Sequence, residues 1–317
     1  RTWSEYEQRA ARIASALVDA GLQPQSKVGL YLYNSNEYLE AQFATFKFRG
    51  VPVNVNYRYL DEELLYLLDN SDAEALFFHS SLGDRVARVV DRLPKLKLLV
   101  EVSDDGEHHV VSAVPYNNLV ADYDPMPRIT RDEDDIYMLY TGGTTGMPKG
   151  VMWRQGDALV ECFGGSRIAQ TIEDFVAETK GRLALVAPPF MHGAGHWVAF
   201  GSWNAGGTVF VPSIPERLDA HDIWSMVEQE KIDFLLIVGD AFARPLIDQL
   251  KVHTYDISSL TVLISGGAAL SAHYKNELLQ LAPHLMIIDG LGSSEAGGQL
   301  THMSAVGGAS TGTFPLS

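Results

Sequence analysis

"FLLIVGDAFARPLIDQLKVHTYDISSLTVLISGGAAL" (234–270) holds two short apolar runs with an amphipathic stretch between them. "FLLIVG" and "LTVLIS" lack polar alternation and are too short for core helices. Each therefore reads as a strand buried on both faces. "FARPLIDQLK" reads as a helix. Strand, helix and strand in that order form a crossover unit, which lays two parallel strands into one sheet. The glycines fall where the strands end, at Gly239 and at the pair Gly266–Gly267.

The same rhythm extends in both directions. "LALVAPPF" and "TVFVP" precede the unit as strands, followed by the helix "AHDIWSMVEQEK"; the helix "SAHYKNELLQLA" and the strand "LMIID" follow it. The first 120 residues alternate likewise. "WSEYEQRAARIASALVDAGL" reads as a helix capped by Ser4, "KVGLYLY" as a buried strand, and "NEYLEAQFATFKFRG" as a helix ended by Gly50. "VPVNVN", "EALFFH" and "LKLLVEV" are further strands. Residues 103–135, rich in Pro, Asp and Asn, break the rhythm and read as a connection, with "RDEDD" (131–135) a solvated run. "IYMLYT" resumes it as a strand. The expected fold is α/β, with two pseudo-similar βα-repeat subdomains built on mostly parallel sheets. The first takes about residues 1–125 and the second 126–317.

Composition narrows the function. Of 317 residues 46% are hydrophobic and 20% charged, as in a soluble globular chain, and the net charge is −16. Clustered positive charge for nucleic acid or an anionic membrane is missing. One cysteine, Cys162, forms no internal disulfide and fits a reducing compartment, hence the cytoplasm. No apolar run reaches the ~20 residues of a membrane helix. "HGAGH" (192–196) lacks the glutamate of a zinc protease, and its two glycines argue against a helix there.

"TGGTTGMPKG" (141–150) packs four glycines into ten positions, too many for a helix or strand interior. Consecutive amides in such a loop form an anion nest. Thr141, Thr144 and Thr145 add hydroxyls and Lys149 a point charge suited to phosphate. A Walker loop is disfavoured, because Pro148 precedes the lysine and "VMW" beyond it reads as strand. A serine-hydrolase elbow in "GLGSSEAGG" is disfavoured too, since Ala296 stands where its second glycine belongs. Three further strands end in "VGDA", "SGGAA" and "DGLGSSEAGG", and open parallel sheets bind ligands outside such ends.

These residues carry a resemblance. "YTGGTTGMPKG" (140–150) is similar to the signature loop of the adenylate-forming superfamily, which includes acyl-CoA synthetases, luciferases and peptide-synthetase adenylation domains. Gly142 stands where the pattern usually has Ser, as in bacterial acyl-CoA synthetases. "PPFMHGAG" (188–195), "SGGAAL" (265–270) and "GLGSSEAG" (290–297) resemble that family's next motifs in order. The resemblance implies the incomplete N-terminal domain of the adenylate-forming fold, with ATP, Mg²⁺ and coenzyme A as cofactor and co-substrates. Thr141, Gly142, Gly143, Thr144, Thr145, Gly146 and Lys149 would cradle the β- and γ-phosphates, and Gly266, Gly267 and Ala268 would border adenine. Asp289, Gly290, Leu291, Gly292, Ser293 and Ser294 would complete the nucleotide contacts, with Ser294 at the α-phosphate and Leu291 in place of a stacking aromatic residue. Glu295, with Thr144, would hold Mg²⁺. His192 would sit beside the acyl carboxylate, giving His192, Ser294 and Glu295 as the catalytic set.

The small residues Gly193, Ala194, Gly195, Gly239 and Ala241, with His192 and Trp197, suggest a roomy pocket for an apolar acid: fatty, branched or a steroid side chain. Phe200 reads as core. The family's Y-x-T-G-D stretch and its C-terminal lysine are not among these residues, so the sequence reads as a large domain cut short and is expected to be inactive alone. A homodimer is compatible with the sequence. The remaining alternatives are an adenylating enzyme that does not use CoA, such as an acyl-AMP ligase or a luciferase-like enzyme, and a non-catalytic nucleotide-binding module.

Overall fold

The computed structural model describes residues 1–104, 106, 110–142, 146–166, 171–178 and 180–308. The chain divides into two compact units, Arg1–Asp157 and Ala158–Ser317. Each is a mostly parallel sheet with helices between its strands, as the βα alternation requires.

The first unit opens with α1 (Trp3–Asp19), β1 (Lys27–Tyr31), α2 (Asn36–Lys47), β2 (Val51–Asn54), α3 (Asp61–Asn70), β3 (Ala73–His79), α4 (Gly83–Val89) and β4 (Leu98–Val102). It continues with β5 (Val114–Pro115), α5 (Tyr116–Asp122), β6 (Ile136–Thr141) and β7 (Lys149–Arg154). The strand order is β5-β4-β3-β1-β2-β6-β7, parallel except for the closing β6–β7 hairpin. Fully buried Val28, Val53, Ala75 and Phe77 line the central strands, which explains why those segments read as apolar runs.

The second unit begins within α6 (Gln155–Glu161) and runs through α7 (Ile172–Glu178), β8 (Leu183–Val186), α8 (Gly193–Asn204), β9 (Thr208–Phe210), α9 (Ala220–Glu230) and β10 (Phe234–Ile237). It ends with α10 (Gly239–Val252), β11 (Val262–Gly266), α11 (Ala272–Leu281), β12 (Met286–Ser293) and β13 (Gly297–Ser304). Its order is β13-β12-β11-β10-β8-β9, with only β12–β13 antiparallel. Leu235, Ile237, Leu263, Ile287 and fully buried Trp224 form its core against α9, α10 and α11.

Four expectations change. The units divide at 157/158 rather than 125/126, because β6 joins the first sheet beside β2 and brings β7 with it. The cap of α1 is Thr2, whose hydroxyl accepts from Glu5 N while Glu5 accepts from Thr2 N, a reciprocal box that Ser4 would have missed. Asp135 does not belong to a solvated run: it is 2% exposed and takes a two-pronged bond from Arg49, which holds its carboxyl below the usual range against the effect of burial. The strand read as "LMIID" is longer than expected: β12 runs to Ser293 and turns into β13.

Candidate active site

The glycine-rich loop of the first unit hangs between two paired strands. Thr141 pairs with Lys149 and Tyr140 with Gly150, so both ends of the loop are held in register on the β6–β7 hairpin. Lys149 therefore lies at a strand start, as its sequence context suggested. Lys149, Gly142 and Gly146 are exposed, and a Cβ at either glycine would meet no atom within 4 Å. Gly143, Thr144 and Thr145 lie outside the described residues. Gly150 serves packing instead: a Cβ there would press to 3.0 Å on Met138 and on the ring of Tyr140.

In the second unit the strand ends β11 and β12 lie side by side, Ser265 opposite Asp289 and Gly266 opposite Gly290. A Cβ on Gly266 would meet nothing closer than Gly290 O at 3.8 Å, and one on Gly290 nothing closer than Ser265 O at 3.6 Å. Neither position needs glycine for its own packing, so bare backbone is offered outward. Gly267 turns the chain with φ +84, and Gly267, Ala268, Leu291, Gly292, Ser293 and Glu295 are exposed, with Ser294 half-buried. Gly292 differs from its neighbours, because a Cβ there would sit 2.5 Å from Gly297 O across the hairpin.

The loop after β11 is clamped to the start of α10. Gly239 N donates to Ser265 Oγ at 3.0 Å, Asp240 N to Ala269 O at 3.2 Å, and Ser271 N to Asp240 Oδ1 at 2.7 Å. Gly239 thus serves the fold, because φ is +53 and a Cβ would fall 2.5 Å from Ala269 O. Asp289 is buried, and Oδ2 receives Lys275 Nζ at 2.5 Å, from a lysine only 1% exposed. No pattern in the sequence announced this pair.

The segment after β8 corrects two readings. "HGAGH" does form helix, since α8 starts at Gly193 with His192 as its cap residue. Gly195 is buried, and a Cβ there would stand 2.5 Å from Pro189 O and 2.9 Å from Pro189 C. Its missing side chain lets α8 close onto the Pro189–Phe190 turn and does not open a pocket. His196, which the sequence reading left without a role, donates Nδ1–H to Phe190 O at 2.7 Å. Burial lowers its pKa to about 4, so it is a neutral brace for the turn that carries His192. Phe200 packs on Phe163 with centroids 5.2 Å apart, in the core as expected. His192 is exposed, while Gly193 and Trp197 are half-buried; these three keep an accessible surface.

The site's chemistry suits a nucleotide and a hard cation. Bare amide-bearing backbone at Gly266, Gly267 and Gly290 allows a flat base to approach closely. Glu295 is exposed, and its carboxylate could serve a hard cation as an oxygen ligand. Among the described residues no group of three His, Cys, Asp or Glu forms a metal cage, and no helix is long and apolar enough to cross a membrane.

The chain is similar to known proteins over nearly all of its length. The chain is 38% identical over 336 residues to the medium-chain acyl-CoA ligase Mig of Mycobacterium avium, covering 99% of this chain and 61% of that protein. It is 38% identical over 313 residues to a 3-oxocholest-4-en-26-oate–CoA ligase of Rhodococcus rhodochrous, covering 93% and 56%. The chain therefore spans less than two thirds of these relatives. In fold it resembles a long-chain-fatty-acid-CoA ligase from Archaeoglobus fulgidus, with TM-score 0.79 at 21% identity over 96% of this chain and 59% of that one. It also resembles ATP-bound MatB from Rhodopseudomonas palustris, with TM-score 0.78 at 23% identity over 98% and 58%. The profile described as AMP-binding enzyme matches residues 1–314, and the chain belongs to that family.

Proposed function

We propose that the protein of which this chain is part is an ATP-dependent carboxylate–CoA ligase for apolar acids, acting through an acyl-AMP. The observation that carries the reading is the bare backbone at Gly266 and Gly290, two glycines that the fold itself does not require. The names of the two curated relatives, a medium-chain and a steroid-acid ligase, support the substrate class.

In this reading Gly266, Gly267 and Ala268 border adenine, and the exposed Leu291 side chain offers apolar contact in place of an aromatic stack. Lys149 and the loop amides stabilise the charge that grows on pyrophosphate as the carboxylate attacks the α-phosphorus. Ser294 contacts the α-phosphate, and Glu295 would hold Mg²⁺. Mg²⁺ bound there supplies charge neutralisation on the phosphate oxygens. His192, presented at the cap of α8 and braced through His196, faces the acyl carboxylate. The thiol of CoA then attacks the acyl carbon and AMP leaves. The reaction belongs in the cytoplasm, where ATP and CoA are available.

Acid-dependent exchange of labelled pyrophosphate into ATP tests the first half-reaction on the full-length protein. Dodecanoate and a steroid-side-chain acid should support exchange well above acetate, and mass spectrometry should find the acyl-CoA once CoA is added. Exchange equal for all three acids would refute the substrate class, and absence of exchange with any acid would refute the ligase reading.

A further inference from the structure

The hairpin that carries the glycine-rich loop is joined to the rest of its sheet through β2. That junction is thin: its ladder has a single register pair, Val53 with Met138. One residue further along β2 and two further along β6, a side chain takes over from the backbone ladder. Asn54 Nδ2 donates to Tyr140 O at 2.9 Å, and Tyr140 N donates to Asn54 Oδ1 at 2.6 Å. The carboxamide acts as a surrogate peptide group and engages both polar atoms of one residue. Asn54 is 8% exposed, so water competes poorly for these bonds.

Tyr140 is the residue before Thr141, where the loop begins. It is held at two other points. Its hydroxyl donates to Asn70 Oδ1 at 2.8 Å, at the end of α3, and its ring lies against the bare Cα of Gly150 on the returning strand. Three elements of the first unit thus converge on this residue: β2 through Asn54, α3 through Asn70 and β7 through Gly150.

We infer that Asn54 is a positioning residue for the phosphate loop, fixing the Tyr140 peptide from which the loop departs. The inference rests on the proposal that this loop holds the ATP phosphates. In this inference Asn54 acts through Tyr140 and not on phosphate itself; it fixes the end of β6 from which the chain leaves the sheet after Thr141. Aspartate at this position keeps the shape and the acceptor but loses the donor, and places a carboxylate against a carbonyl oxygen. Leucine keeps the size and loses both bonds.

The test uses Asn54→Asp and Asn54→Leu in the full-length protein, with pyrophosphate exchange measured against Mg·ATP and against dodecanoate. Loss of the clamp is expected to read as roughly a tenfold effect, about 1.4 kcal/mol. The KM for Mg·ATP should rise about tenfold, while the KM for dodecanoate changes less than about twofold. A merely structural role would lower the melting temperature and the active fraction with both KM values unmoved. That result, or an equal rise in both, overturns the inference. Amide exchange on the wild-type chain gives a second reading that needs no variant to fold: Tyr140 N–H should exchange far more slowly than Gly142 N–H, and equal rates overturn the clamp. Wild-type protein that shows this protection but no pyrophosphate exchange would sink the ligase reading and leave the clamp standing.

Discussion

Gly266→Ala should move stability and nucleotide affinity in opposite directions. The added methyl would meet only Gly290 O, at 3.8 Å, an ordinary contact, and Gly266 is not in the left-handed region. Replacing glycine by alanine where the backbone is compatible restricts the unfolded chain and stabilises by about 0.4–1 kcal/mol. The same methyl would occupy the surface proposed for adenine. Crowding a packed contact costs about 1–3 kcal/mol, which is roughly 5- to 150-fold in Kd. Titration calorimetry with Mg·ATP on the full-length protein, together with a thermal melt without ligand, separates the two effects. The expected outcome is a melting temperature equal to or above wild type with a Kd at least fivefold weaker. An unchanged Kd would remove the glycine surface from the nucleotide site. A fall of several degrees would mean that Gly266 serves the fold despite its open surroundings, and would refute the reasoning from them.

Gly195→Ala is the converse case. Its methyl would clash with Pro189 backbone atoms that cannot swing aside, so the chain should lose about 1–3 kcal/mol, read as a lowered melting temperature. Lys149→Ala should slow pyrophosphate exchange tenfold or more through loss of a charge-assisted phosphate contact of about 1.5–3 kcal/mol, with no change in melting temperature; wild-type exchange would refute its role. Glu295→Gln should raise the Mg²⁺ concentration needed for half-maximal exchange, and an unaltered Mg²⁺ dependence would remove it from the metal site. His196 gives a pH dependence. Its folded pKa of about 4 lies below the unfolded value near 6.5, so above pH 6.5 the residue contributes no slope. As pH falls from 6.5 towards 4 the unfolded chain takes up the proton first, and stability drops by on the order of 2–3 kcal/mol. His196→Asn, which can donate to Phe190 O without titrating, should flatten that part of a urea-denaturation profile.

The fold was legible because βα alternation is a local signal. Apolar runs such as 234–238 and 262–265 have only one stable use, and helices lie where the period changes. The reach of the first unit was not legible, since "IYMLYT" could have opened a new sheet. Its membership depends on pairing with β2, some eighty residues earlier, and the Asn54–Tyr140 bonds leave no periodic trace. Burial of Asp135 depends in the same way on Arg49 and Gln25 reaching it from far back in the chain. The box at Thr2 and Glu5 was visible in the sequence, yet Ser4 also satisfies the composition rule for a cap. At "HGAGH" glycine propensity misled, because tight packing on Pro189 demands the glycine that lowers intrinsic helicity. The site's motifs were legible as strings. Their supports, His196 under Phe190 and Lys275 under Asp289, were not, because each reaches its partner across a turn or between elements.

The thin junction between β2 and β6 also bears on the order of events in folding. Short crossovers join β1 to β2 and β3 to β4, and β3 returns beside β1, so these four strands can pair soon after they are made. The β6–β7 hairpin can close on itself, but it docks only after the intervening α3-to-α5 stretch has been gathered in, and long loop closures are slow. The loop's attachment is therefore expected to form late, with Tyr140 N–H protected after Val28 and Leu30 in a pulse-labelling experiment. A ribosome-bound chain ending before residue 149 would then have a nearly complete sheet and an unformed phosphate cradle.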